Sequence, residues 1–141
     1  MIRVVLDTNI LVAAFRSRDG ASNVLLRYVA QGKLTPLVSV ALFLEYEAVL
    51  KRAEQQLVHR LSIADIDRVL AAFAQASEPV DVSFFWRPQL KDPKDEMVLE
   101  TAVNGRAKFL VTHNVKDFRE AATKFSLALV TPVELVRKLK D

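Results

Sequence analysis

Apolar positions in this chain fall into two periods that take turns. Ile2, Val4, Val5 and Leu6 form a short, mostly β-branched run that reads as a buried central strand. Leu34 to Ser39, Lys108 to Thr112 and Ser126 to Val130 repeat that reading, and a further strand is expected around Val80 to Val82. Between them the spacing turns helical. Ile10 to Phe15 follows the first strand at once, and Val24, Leu25, Tyr28 and Val29 share a face within Ala21 to Gln31. Leu42, Phe43, Tyr46, Val49, Leu50 and Ala53 do the same within Val40 to Ala53, and Ile66, Val69, Leu70 and Phe73 within Ile63 to Ala76. Val98, Leu99, Ala102 and Val103 line a helix that opens at Pro93. Strands alternating with helices predict an α/β fold, a parallel sheet with helices on both faces.

Local punctuation sharpens these boundaries. Ser22 is expected to cap its helix and Gly32 to stop it, while Gly105 ends the helix that Pro93 begins. Ser62 with Asp65, and Thr131 with Glu134, have capping-box spacing. No repeat, linker or low-complexity stretch interrupts the series, so residues 1–141 read as a single domain.

Composition removes several chemistries. The chain has no cysteine, which excludes disulfides, zinc–thiolate sites and thiol catalysis. No apolar run approaches the ~20 residues of a membrane span, and the first residues lack a basic leader. A cytoplasmic protein without a membrane partner is expected. The net charge of +3 and a pI near 9.3 suit a polyanionic partner, although a solvated basic surface accounts for them equally. There is no Gly-rich phosphate loop, GxSxG or HExxH motif, and His59 and His113 are too few and too scattered for a histidine cage.

Four acidic places stand out against this background. Asp7 directly follows the first strand, where open α/β sheets place their active sites, or it is an N-terminal cap for the helix after it. Glu45 falls at the border of a helical face, as a ligand or as a surface partner of Lys51 or Arg52. Asp95 falls with Val98, Leu99 and Ala102 on the face turned to the sheet, or it is a first-turn acid favoured by the helix dipole. Glu96, about 100° away around the helix, points to the flank and competes with Asp95 as ligand. Asp117 follows the strand that ends at Thr112, and it could instead cap a short helix begun by Phe118. Carboxylates meeting at one sheet edge repel, and hard divalent cations such as Mg²⁺ or Mn²⁺ relieve that repulsion. Such a centre activates water and holds phosphate oxygens.

LDTNILVAAF at the start, Glu45 in mid-chain, DPKDEMVLETAV, and FLVTHNVKDF together resemble the PIN domain, and more closely the VapC-like toxin component of bacterial toxin–antitoxin pairs. The resemblance runs in order over nearly the whole chain. It implies a three-layer fold with a five-stranded parallel sheet and a Mg²⁺- or Mn²⁺-dependent endoribonuclease. Single-stranded RNA would be hydrolysed by water to a 5′-phosphate and a 3′-hydroxyl. Asp7 and Glu45 match the first and second acids, and the third falls at Asp95 or its neighbour Glu96. The fourth acid's usual position, two residues after the strand's Thr, holds Asn114, which leaves Asp117 as the remaining carboxylate and bears on whether a second metal binds. Thr8, Asn9, Thr112 and Asn114 are the supporting residues. An antitoxin protein is the implied partner, and a homodimer is suggested by the resemblance together with several long apolar helices.

Other classes are weighed beside this one. A phosphotransferase of haloacid-dehalogenase type wants a second Asp two residues beyond the first, and here that residue is Asn9. A non-catalytic or weakly active module that binds nucleic acid or protein through the same fold is the alternative that Asn114 favours. Phe84, Phe85 and Trp86, before Arg87, are candidates for stacking on bases, or for filling a core or a subunit contact.

Overall fold

The computed structural model describes residues 2–83 and 87–140. At its centre is β1 (Ile2–Leu6), whose Val4, Val5 and Leu6 are completely buried. The sheet has five parallel strands in the order β3-β2-β1-β4-β5, where β2 is Leu34–Val38, β3 Glu78–Pro79, β4 Phe109–Val111 and β5 Ala128–Val130. Register pairs Val4 with Pro36 on one side of β1 and Leu6 with Val111 on the other.

Eight helices are found among the described residues: α1 (Thr8–Arg16), α2 (Ala21–Ala30), α3 (Val40–Leu50), α4 (Ala53–His59), α5 (Ile63–Ala76), α6 (Pro93–Gly105), α7 (Val115–Lys124) and α8 (Pro132–Lys140). Right-handed crossovers place the helices that link β1, β2 and β3 on one face, with α6 and α7 on the other. This is the three-layer α/β/α architecture that the alternation predicts. Because every strand is parallel, their carboxyl ends share one edge, and α1, α3 and α7 start there.

Several expected boundaries move, each for a local reason. The helix expected over Val40 to Ala53 stops at Leu50, and α4, which the pattern missed, begins after a break at Lys51 and Arg52. The strand expected at Val80 to Val82 lies instead at Glu78–Pro79. Val80 still donates to the Val38 carbonyl (3.0 Å), but β2 ends there, and Ser39 turns the chain into α3, so later residues have nothing to pair with. Ser126 and Leu127, expected in β5, close α7 as a Schellman motif. Ser126 takes a left-handed φ of 55° and donates to Thr123, and Leu127 donates to Ala122. Ser22 is not a cap: Gly20 holds that position, and Ser22 is buried inside α2.

The capping boxes form as expected. Ser62 Oγ accepts from the Asp65 amide while Asp65 accepts from the Ser62 amide, and Thr131 and Glu134 exchange the same pair of bonds. Asp92 caps α6 through the Lys94 amide, with Pro93 in the first turn. At the other end of α6, Gly105 packs directly beneath the sheet. A methyl group there would lie 2.9 Å from both Leu37 Cδ1 and Val80 Cγ2.

Gly105→Ala should therefore cost stability even though alanine is the better helix former. Overpacking of about 1–3 kcal/mol set against a propensity gain of about 1 kcal/mol leaves a net loss of up to about 2 kcal/mol. A urea midpoint equal to or above wild type would show that the sheet yields more readily than this packing implies.

Candidate active site

Asp7 is the residue at which β1 becomes α1. Its amide donates to the Val111 carbonyl (2.9 Å), which continues the β1–β4 ladder, and its own carbonyl accepts from Ile10 (2.9 Å), which begins the helix. It stands at the N-cap position, where no full side-chain capping bond forms although the Thr8 and Asn9 amides lie close enough to favour the charged form of its carboxylate. That carboxylate is turned to β4 instead: Thr112 Oγ1 donates to Asp7 Oδ2 at 2.7 Å, and the Thr112 hydroxyl accepts from the Asn114 amide at 3.0 Å. Burial raises the Asp7 pKa. Against that work the Thr112 hydroxyl, the Thr8 and Asn9 amides at the start of α1, and His113.

Asp95, in the first turn of α6, is half-buried and pushed up to about 6. Desolvation is the largest cause, followed by the negative charges of Asp7, Asp92, Asp117 and Glu96. The structure thus brings together acids from three separate elements: the end of β1, the first turn of α6 and the first turn of α7. Asp117 is not a cap, since α7 begins at Val115, with Asn114 at the N-cap position and Asp117 two residues inside. A cleft of about 410 Å³ opens between α6 and α7, and Asp92, Asp95, Lys116 and Asp117 are among its lining residues.

Glu96 corrects the expectation from helical angles. It is the more buried of the pair, at 3% exposure, rather than a flank residue. Its Oε1 accepts from the amides of Gln89 (2.6 Å) and Leu90 (2.9 Å), so it is spent on holding the segment that leads into α6. One turn further, buried Glu100 grips the Arg87 guanidinium with both oxygens, each at 2.7 Å. Nothing in the sequence marked Arg87 and Glu100 as partners, because the loop between them is irregular.

Glu45 is half-buried on α3, and its charge is not among the main ones acting on Asp7 or Asp95. The surface role foreseen for it is taken by others, since Lys51 pairs with Glu47 (3.2 Å) and Asp67 (2.6 Å). Its neighbour Tyr46 does reach the site: the fully buried hydroxyl donates to the carbonyl of Leu6, the residue before Asp7. The sequence signalled Tyr46 only as part of an apolar face. Thr8 is half-buried in the first turn of α1, and Phe84 to Trp86 lie outside the described residues.

The donor set suits a hard divalent cation. The charges that raise the Asp95 pKa are all carboxylates, their repulsion adding to burial, and Asn9 Oδ1 is buried without a hydrogen-bond partner among the described residues. Among the described residues, no group of three or more His, Asp or Glu side chains is placed to hold a metal ion by itself. Mg²⁺ in particular keeps several waters and needs only one or two protein carboxylates.

The PIN domain family model matches residues 3–116. The chain is similar to VapBC2 from Rickettsia felis, in a structure bound to a DNA fragment from its promoter. That likeness has a TM-score of 0.61 and 22% identity, over 92% of this chain and 98% of that one. It is similar as well to FitAB bound to an IR36 DNA fragment, with a TM-score of 0.56 and 15% identity over 92% of this chain and 94% of that one. At such identities the likeness speaks for the fold. No curated protein matches the chain. An acid ends the central strand, two more face it from α6 and α7, and the family model covers most of the length: this chain belongs to the PIN domain family.

Proposed function

We propose that this protein is a Mg²⁺- or Mn²⁺-dependent endoribonuclease that cuts single-stranded RNA by water attack, and that it is the toxin of a toxin–antitoxin pair. One observation carries the reading: burial first, and then the charges of Asp7, Asp92 and Asp117, push Asp95 up to about 6, and Asp7 and Asp117 come from distant parts of the chain to the carboxyl edge of the sheet. A fold gains nothing in stability from such crowding, and a cation turns it into binding energy.

In this reading Asp7, Asp95 and Asp117 hold the cation, with Glu45 approaching from α3. The bound metal would lower the pKa of a water and neutralise phosphate charge. Thr112 fixes the direction of the Asp7 carboxylate, and the Asn114 amide fixes the Thr112 hydroxyl. Asn9 offers a free buried oxygen acceptor near the start of α1, and Thr8 an amide beside Asp7. VapBC2 and FitAB, whose fold this chain shares, support a protein antitoxin as partner, and a homodimer and a cytoplasmic location complete the proposal. A second reading, a weakly active or non-catalytic PIN module, is favoured by Asn114, which stands exposed where a fourth acid often lies.

The adjacent acids of α6 separate the readings. Asp95→Asn should abolish Mn²⁺-dependent cleavage of a single-stranded RNA without lowering the melting temperature of the metal-free protein. Glu96→Gln keeps an oxygen acceptor for the Gln89 and Leu90 amides and should retain substantial cleavage. A dead Glu96→Gln beside an active Asp95→Asn would move the ligand one residue along. Wild-type protein that cleaves no RNA with either metal would leave the binding module.

The pH dependence has a definite sign. The folded pKa of Asp95 is raised, so its contribution to the stability of the metal-free protein is full below about pH 4 and is lost as pH rises through about 6. A cation must displace the proton that this pKa favours. Mn²⁺ affinity measured by calorimetry should fall as the pH is lowered through about 6. Affinity that stays level across that range speaks against Asp95 as a ligand.

A further inference from the structure

Tyr46 has an exposure of 0%, which makes it one of the largest fully buried side chains described. A buried phenol needs a partner for its hydroxyl, and the partner here is the main chain of the central strand. Tyr46 Oη donates to the Leu6 carbonyl. Leu6 lies past the Ile2–Val4 stretch that pairs with β2, so this bond ties down the end of β1 on the side where β2 has already turned away into α3. Its ring is held edge-on against Phe73 of α5, with centroids 5.8 Å apart.

Asp7 is thereby held from two sides. Thr112, just past β4, orients its carboxylate, and the α3 hydroxyl anchors the peptide that precedes it. The same α3 turn carries Glu45, the residue before Tyr46. We infer that Tyr46 is a positioning residue whose bond to Leu6 fixes Asp7 for cation binding and sets the approach of α3, with Glu45, to that centre. This rests on the metal-dependent reading of the site. Tyr46 is fully buried, so it acts through the groups it positions.

Tyr46→Phe removes the hydroxyl and keeps the ring. Metal binding, read by calorimetry with Mn²⁺ alone, should weaken by about ten-fold. RNA cleavage should fall at low Mn²⁺ and recover at high Mn²⁺, with KM for RNA unchanged. Ser62→Ala, which loses the cap of α5, supplies a destabilised control remote from the site and should bind Mn²⁺ as wild type does. The inference is overturned if Tyr46→Phe binds Mn²⁺ with wild-type affinity, or if Ser62→Ala weakens binding as much. Wild-type protein that binds no Mn²⁺ overturns the metal reading as well, which keeps the two failures distinct.

Discussion

A carboxylate buried at the end of the central strand is the constraint around which this molecule is arranged. Asp7 is 5% exposed, and an acid so placed is costly unless neighbours compensate its lost hydration. Each neighbouring element contributes something. The residue just past β4 supplies the Thr112 hydroxyl, and the start of α1 supplies the field of its free amides. α3 supplies the phenol that fixes the preceding peptide. These contributions are possible because β1 occupies the middle of an all-parallel sheet. With a neighbour on each side and every strand ending at the same edge, helix starts crowd around Asp7. The compensation is incomplete, since its pKa remains raised.

The way acids are paired elsewhere makes that shortfall informative. Glu100 holds Arg87, Glu78 holds Arg3, and Glu47 and Asp67 share Lys51. Asp65 and Glu134 close capping boxes, and both are shifted below the usual carboxylate range by those bonds. In these places charge has been matched to a partner. Among the described residues, Asp7 and Asp95 are the carboxyls shifted in the opposite direction, and each of the two sits at the sheet edge. Exposed ion pairs contribute little to stability, so the contrast does not rank interactions by strength. It separates acids that fold the chain from acids that the fold holds apart from cations.

Much of this was legible in the sequence because it is written locally. Alternating periods gave the layers, the pairs Ser62–Asp65 and Thr131–Glu134 gave helix starts, and Asp7 after a β-branched run marked the edge. What escaped notice depends on contacts between distant segments. α4 has the sequence AEQQLVH, which is too polar and short to show a helical face. The extent of β3 is decided by where β2 ends, and Ser126 and Leu127 are claimed by α7 rather than β5. Tyr46 looked like one more apolar residue, because nothing in its neighbours tells that its hydroxyl meets Leu6.

Asp95 and Glu96 show most directly where a helical angle stops being informative. Rotation about α6 separates the two residues by about 100°, and apolar spacing assigned the inner face to Asp95. That reasoning treats the helix as if it packed only against the sheet. The chain entering α6 folds back over its first turn and brings the Gln89 and Leu90 amides to Glu96. A carboxylate that accepts two main-chain amides is well compensated, so deep burial is tolerable for Glu96. Asp95 receives no such bonds among the described residues; it stays half-buried, and burial with the charges of Asp7, Asp92 and Asp117 raises its pKa. The more buried acid is therefore the structural one. By clamping the entering segment, Glu96 fixes the first turn from which Asp95 faces the other carboxylates.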